Sequence, residues 1–266
     1  MRTVSLNEYL NAENVWTQRL LGLSQFSKSR NLNSLEKEFN VDKFGPLSTA
    51  DCQSIQEYKF KEIEFAGRKL TDETVISIGE ELFKVGFHEA LYLFYNLIYS
   101  KLAPYLTEKL CELGCGYGYN LSNLKGYVYG GDFSPNAINI ARRFGLNVRL
   151  FNFYEPLDYE FIESGSTIFT LHAIENVKDA SLVINNLSMV RHRINHIVLF
   201  EPAFIEERST LLGVLRNKYN RINDYCPNLL TEIKLRNDIE IVELEQDLCG
   251  FNPLHPVNFI VFKFKA

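Results

Sequence analysis

The chain has 266 residues, 46% hydrophobic and 23% charged, with a formal net charge of -5. That length holds one large α/β domain with an appendage, or two modest domains. The acidic balance and the lack of a basic stripe argue against a nucleic-acid partner. The longest basic cluster, Arg191-His192-Arg193, reads as a helix end where cations complement the dipole.

No apolar run reaches the roughly 18–20 residues of a bilayer span. The start of the chain lacks the positive segment and apolar core of a signal peptide. The five cysteines, Cys52, Cys111, Cys115, Cys226 and Cys249, form no CxxC pair. They read as reduced, mostly buried thiols of a cytoplasmic protein, and Cys111/Cys115 alone makes no zinc site.

Residues 7–26 carry Leu10, Val15, Trp16, Leu20, Leu21 and Leu23 at helical spacing, and residues 32–41 suggest a shorter second helix. Phe44-Gly45-Pro46-Leu47-Ser48 breaks the pattern. Ser48 or Thr49 is then expected to cap a helix through Phe60. Residues 63–70 are ambiguous. Thr71-Asp72-Glu73-Thr74 resembles a helix start leading into residues 75–83. Residues 87–102 are densely apolar and aromatic, which predicts a helix buried on most of its circumference and ended by Pro104.

From Glu108 the rhythm becomes strand, turn, helix. Strands are expected over 110–113, 127–131, 147–151, 167–171 and 196–200. Helices are expected over 120–125, 135–144, 179–191 and 206–220, with Ser134 as N-cap and Pro135 at the first position of the second. Residues 239–248 and 257–264 read as a closing antiparallel pair. Alternating β and α elements imply a mostly parallel sheet with helices on both faces and a ligand beyond the strand C-termini. The expected organisation is a helical N-terminal cap over residues 1–104 and an α/β core over 105–266.

Leu110-Cys111-Glu112-Leu113-Gly114-Cys115-Gly116-Tyr117-Gly118 is an apolar strand ending in a carboxylate and three alternating glycines. A glycine turn at a helix start lets backbone approach a ligand closely. The dinucleotide fingerprint GxGxxG fails, because its third glycine falls on Tyr119. The stretch resembles the first motif of class I S-adenosylmethionine-dependent methyltransferases, acidic-x-Gly-x-Gly-x-Gly. That resemblance covers about residues 102–204. It implies a Rossmann-like, mostly parallel seven-stranded sheet and S-adenosyl-L-methionine as cofactor.

The resemblance also implies roles. Glu112, Gly114, Cys115, Gly116 and Gly118 line the methionine part of the cofactor. Asp132, ending the second strand and followed by Phe133-Ser134-Pro135, binds the ribose hydroxyls. Asn152 stands where the family often has a carboxylate for the adenine amino group, and Phe153 stacks on the ring. Leu171 and His172 end the fourth strand, facing the methyl group. His172, with an ordinary pKa of about 6.5, suits a general base, and Glu175 suits its orienter. His88, Tyr92, Tyr95 and Tyr99 on the helix before the first strand, and His255 in the last loop, are candidate substrate contacts. The loop of His255 also reads as a plain hairpin connection away from the site.

The resulting expectation is a methyltransferase acting on a small-molecule acceptor, at a hydroxyl of a sugar, glycan precursor or specialised metabolite, with no residue assigned as a metal ligand. A protein or RNA methyltransferase of the same fold is the alternative, as is a non-catalytic cofactor-binding subunit.

Overall fold

The structure, a computed structural model, describes residues 1–11 and 14–265. Strand β1 (Arg2–Val4) is followed by two short helices, α1 (Leu6–Tyr9) and α2 (Val15–Leu20). The single helix expected over 7–26 is therefore broken. Asn14 caps α2 by accepting from the Trp16 amide at 2.9 Å, and Ala12 and Glu13 lie outside the described residues. Residues 32–48 form one helical run: α3 (Leu32–Leu35), a wide π-helical stretch over Glu36–Lys43, and α4 (Phe44–Ser48). The break expected at Phe44–Ser48 is thus itself helical, because Phe44 and Leu47 bury themselves against Ala137 and Ile140. Helix α5 (Ile55–Phe65) starts at Ser54, whose hydroxyl accepts from the Glu57 amide at 3.1 Å, and not at Ser48.

The helix predicted over 75–83 is instead a β-hairpin, β2 (Glu73–Ile78) and β3 (Glu81–Gly86). Gly79, at φ +59°, opens its two-residue turn, the Gly-X form that suits strand twist. Thr74, Val75, Ile76 and Ile78 are β-branched and favour the extended state. Helix α6 (Phe87–Leu102) occupies its predicted span but buries one stripe, Phe87, Ala90, Phe94, Ile98 and Leu102, rather than most of its circumference.

The remainder mostly follows the predicted rhythm: β4 (Lys109–Leu113), α7 (Tyr119–Asn123), β5 (Tyr127–Asp132), α8 (Pro135–Arg143), β6 (Asn147–Leu150), β7 (Ser166–Leu171), α9 (Ala180–Met189), β8 (Ile194–Glu201), α10 (Leu211–Ile222), α11 (Leu229–Leu235), β9 (Ile239–Gly250) and β10 (Val257–Phe264). Helix α11 is not among the expected elements, and α10 starts at Leu211 instead of 206 because the Thr210 side chain caps it. Ser134 caps α8, its hydroxyl accepting from the Ala137 amide at 3.2 Å. Leu110 of β4 faces one apolar cluster with Phe94, Ile98 and Leu102 of α6. Cys111 and Leu113 face the other, with Val183, Ile184 and Leu187 of α9. Helices therefore cover both faces, as a parallel sheet requires.

The expected seven-stranded sheet is corrected to ten strands, in the order β1-β3-β2-β9-β10-β8-β7-β4-β5-β6. Strands β4 to β8 pair in parallel, and β10 and β9 add antiparallel. The extra strands come from the first hundred residues, which are thus not a purely helical cap. β2 joins β9 through Ser77↔Gly250 and Ile78↔Cys249, covering an edge that would otherwise expose unpaired backbone.

A buried ion cluster fixes this junction. Arg216 of α10 is fully buried, and its Nη1 pairs with Asp247 Oδ2 at 2.9 Å. Its Nη2 donates to Gly79 O at 2.8 Å and its Nε to Pro253 O at 2.9 Å. Arg208 pairs with the same Asp247.

Candidate active site

Strand β4 lies between β5 and β7, so the chain's direction of travel across the sheet reverses there. Ligands of open α/β sheets bind at such a switch. A cavity of about 630 Å³ opens at this end of the sheet, within the usual range of ligand pockets.

The loop from β4 to α7 forms one wall. Gly114, Gly116 and Gly118 all have positive φ. At Gly114, φ is +79° and a Cβ would lie 2.3 Å from that of Ala173, so only glycine fits. The amides of Gly114 and Cys115 donate to Gly131 O at 2.8 and 3.0 Å, tying the loop to β5.

Asp132 sits at the loop's far side, buried. Its Oδ2 accepts from the Gly116 amide and its Oδ1 from the Ser134 amide, each at 2.9 Å. Burial raises its pKa against those two bonds. Each oxygen retains a lone pair for a further donor.

Glu112 is buried beneath the loop. Its Oε1 accepts from Asn120 Nδ2 at 2.6 Å, and Asn120 Oδ1 accepts from the Tyr99 hydroxyl at 3.0 Å. Its Oε2 has no hydrogen-bond partner among the described residues. Burial pushes this carboxyl up to about 8, against the Asn120 bond, and Asp132's charge adds to the rise. A buried carboxylate oxygen of this kind is costly until a cation reaches it.

The opposite wall is formed at the end of β7. Leu171 and His172 line the cavity, and His172 adopts φ +54°, a conformation non-glycine residues keep mainly at functional or turn positions. Its Nδ1 lies 2.9 Å from Glu175 Oε2, and its Nε2 has no hydrogen bond among the described residues. Burial lowers the His172 pKa, but Glu175's charge and hydrogen bond outweigh it, so the net shift is upward. Glu175 is held well below the usual carboxylate range: burial opposes ionisation, and His255 and His172 overcome it. Glu201, at the end of β8, accepts from the amides of Ala173 and Glu175 at 2.9 and 3.1 Å. Burial, with Glu175's charge, pushes it up to about 7.

Most of the predicted residues converge. Glu112, Gly114, Cys115, Gly116, Asp132, Phe133, Asn152, Phe153, Leu171, His172 and Tyr95 line the cavity. The Asn152 side chain is already engaged, its Oδ1 accepting from the Tyr154 amide at 3.0 Å. Glu175 stands behind His172. His255 does too, with Nε2 2.8 Å from Glu175 Oε2, so its loop is not a remote connection. Tyr99 acts one step back through Asn120. Tyr92 and His88 are exposed on the outer side of α6 and do not line the cavity.

Sequence reasoning missed a second cluster at the loop, contributed by the N-terminal segment. Glu62 bonds to Lys43 Nζ at 2.9 Å, Lys59 Nζ at 3.0 Å and the Tyr117 hydroxyl at 2.7 Å. Two lysines and one carboxylate leave one positive charge at the cavity wall. Asn40 accepts from the Ser134 hydroxyl at 2.7 Å, clamping this segment over β5. Lys59 and Glu62, spaced i,i+3, look like a solvated helix pair in sequence, so no signal marked them.

No protein-family model matches the chain, and no curated protein does. Solved structures do match it. Magnesium protoporphyrin IX methyltransferase (ChlM) from Synechocystis PCC 6803, with bound SAH, superposes at a TM-score of 0.52 and 13% identity, covering 88% of this chain and 100% of that one. The N-methyltransferase NodS from Bradyrhizobium japonicum WM9 has a TM-score of 0.48 and 13% identity, covering 65% and 85%. A SAM-dependent methyltransferase from Anabaena variabilis ATCC 29413 has a TM-score of 0.44 and 18% identity, covering 63% and 84%. The first of these shows a shared fold. No helix among the described residues is long and apolar enough to cross a membrane.

Proposed function

We propose that the chain is an S-adenosyl-L-methionine-dependent methyltransferase acting on a hydroxyl oxygen of a small molecule. The observation that carries this reading is the unpartnered, buried Oε2 of Glu112 beneath a glycine loop that only backbone can line. A carboxylate so placed fits the α-ammonium of a methionine moiety. The excess positive charge of Lys43 and Lys59 fits its carboxylate, and the free lone pairs of Asp132 fit two ribose hydroxyls. Phe153 and Asn152 bound the space left for adenine.

The cofactor, when bound, supplies an electrophilic methyl group on sulfur. The protein's own work is alignment and removal of one proton. His172 Nε2 takes the proton of the acceptor hydroxyl while Glu175 holds the ring at Nδ1. That oxygen would then take the methyl carbon, the cofactor's sulfur keeping the C–S electron pair. Asn33 and Glu36 line the same cavity. They offer polar partners to a hydroxylated acceptor such as a sugar, a glycan precursor or a specialised metabolite. The net charge of -5 disfavours RNA as acceptor.

Thermal denaturation tests the cofactor directly. S-adenosylhomocysteine at a hundred times its Kd should stabilise the protein by about 2.7 kcal/mol, and NAD should not. An unchanged melt with S-adenosylhomocysteine removes the proposal.

A further inference from the structure

With a neutral His255 ring, its contact with Glu175 lacks a donor. Asn220 Nδ2 donates to Ala203 O at 3.2 Å, which turns Asn220 Oδ1 towards His255 Nδ1, also at 3.2 Å. In the neutral imidazole Nδ1 therefore carries the proton and Nε2 presents a lone pair. That lone pair points at Glu175 Oε2, 2.8 Å away. The same oxygen lies 2.9 Å from His172 Nδ1. Tyr225 stacks on the His255 ring at 4.4 Å and holds its plane. Two lone pairs facing each other at this distance repel unless a proton or a metal ion lies between them.

We propose that His172 Nδ1, Glu175 Oε2 and His255 Nε2 bind one divalent transition-metal ion, with Zn²⁺ the first candidate. The three atoms lie within 4.8 Å of one another. Ligands about 2.0–2.1 Å from a tetrahedral ion stand roughly 3.3 Å apart, so the two short contacts need to open by about half an ångström. Two imidazoles and one carboxylate form a donor set that suits zinc with one position open. A metal-bound histidine characteristically donates its other ring N–H to a fixed acceptor, and Asn220 is that acceptor here. Glu201, bonded to the amides of Ala173 and Glu175, fixes the backbone around two of the ligands. The Arg30 guanidinium, over the Tyr225 ring at 4.1 Å, also pairs with Glu38 at 3.7 Å.

Glu175 and His255 stand behind His172, so the ion would sit on the side of that ring away from the cavity. The ion's purpose rests on the hydroxyl-acceptor reading of that cavity; its binding does not. With Nδ1 on the ion, Nε2 carries the ring proton. His172 would then orient the acceptor as a hydrogen-bond donor in place of acting as a base.

The test uses the full chain, purified without added metal, stripped with a chelator and titrated with Zn²⁺, Co²⁺ and Mg²⁺. Mass spectrometry of the unstripped protein should find about one equivalent of transition metal. Zn²⁺ should raise the melting temperature of the stripped protein, and Mg²⁺, which prefers all-oxygen sites, should not. Co²⁺ should give visible absorption bands of a low-symmetry nitrogen–oxygen site. His255→Ala and Glu175→Gln should abolish both responses, with circular dichroism confirming the fold. Wild-type protein with no retained metal, no Zn²⁺ stabilisation and no Co²⁺ bands overturns the proposal. So does a Zn²⁺ response of equal size in His255→Ala. If S-adenosylhomocysteine still stabilises metal-free protein, the methyltransferase reading survives that failure. Metal binding without any S-adenosylhomocysteine response sinks the methyltransferase reading and leaves the metal site standing.

Discussion

Cofactor binding should expel a proton from Glu112. In the free protein burial holds this carboxyl at about 8, so at pH 7 about nine-tenths of the molecules carry the proton. An ammonium brought against Oε2 favours the ionised form and returns the pKa towards the ordinary carboxylate range. Binding at pH 7 therefore releases about 0.9 of a proton, and at pH 8 about half. Isothermal titration calorimetry in buffers of different ionisation enthalpy reads this number as a slope. The apparent Kd for S-adenosylhomocysteine should rise about tenfold for each pH unit lowered below 7. Glu112→Gln should remove the slope, leaving only a smaller contribution if Glu201 also responds.

The same group makes a second measurement in the free protein. A carboxyl raised from 4.5 to about 8 contributes stability that is complete below 4.5 and lost as pH rises through 8. Glu112→Gln should therefore match wild type near pH 4 and exceed it at pH 9, by on the order of 4 kcal/mol. Buffer-independent heats in wild type, or an unchanged slope in Glu112→Gln, refute the argument.

Three further substitutions probe other parts of the site and its support. His172→Ala should lower turnover by about 10²–10⁴ while leaving the Kd for S-adenosylhomocysteine within about twofold; near-normal turnover excludes a proton-removing role. Gly114→Ala forces a Cβ into the left-handed region and onto Ala173, and should cost about 2–4 kcal/mol in urea denaturation, with loss of S-adenosylhomocysteine binding. A cost below about 1 kcal/mol would show that the loop relaxes. Arg216→Met strips Asp247 of one buried partner and frees Gly79 O. It should cost about 3–5 kcal/mol, with faster amide exchange concentrated in β2 and β3.

The sequence was most legible where local signals and tertiary packing agree. Ser134-Pro135 marked the start of α8 because cap and φ are set within two residues. The glycine loop and Asp132 were legible because backbone approach and charge allow few residue types there. The hairpin of β2 and β3 was misread because Thr71–Thr74 resembles a helix start. Its β-branched run and Gly79 carried the opposite signal, and pairing with β9 decides between them. The π-helical stretch over Glu36–Lys43 has no local signature. It persists through contacts made far along the chain, such as Asn40 on Ser134 and Asn136. His255 was ambiguous for the same reason: only the folded sheet brings it to Glu175.

The pairing of β2 with β9 also orders events during synthesis. The β2–β3 hairpin is made well before β9, the strand that receives it. Until β9 emerges, β2 and β3 have only each other and β1, and a short isolated antiparallel ribbon is marginal in water. The parallel strands β4 to β8 can pair earlier, in chain order. A nascent chain stalled before Ile239 should therefore hold a largely assembled parallel sheet with the hairpin still undocked. Docking it is then a late step, although the segment around Asn40 and Phe44 already has its partners on Ser134 and α8.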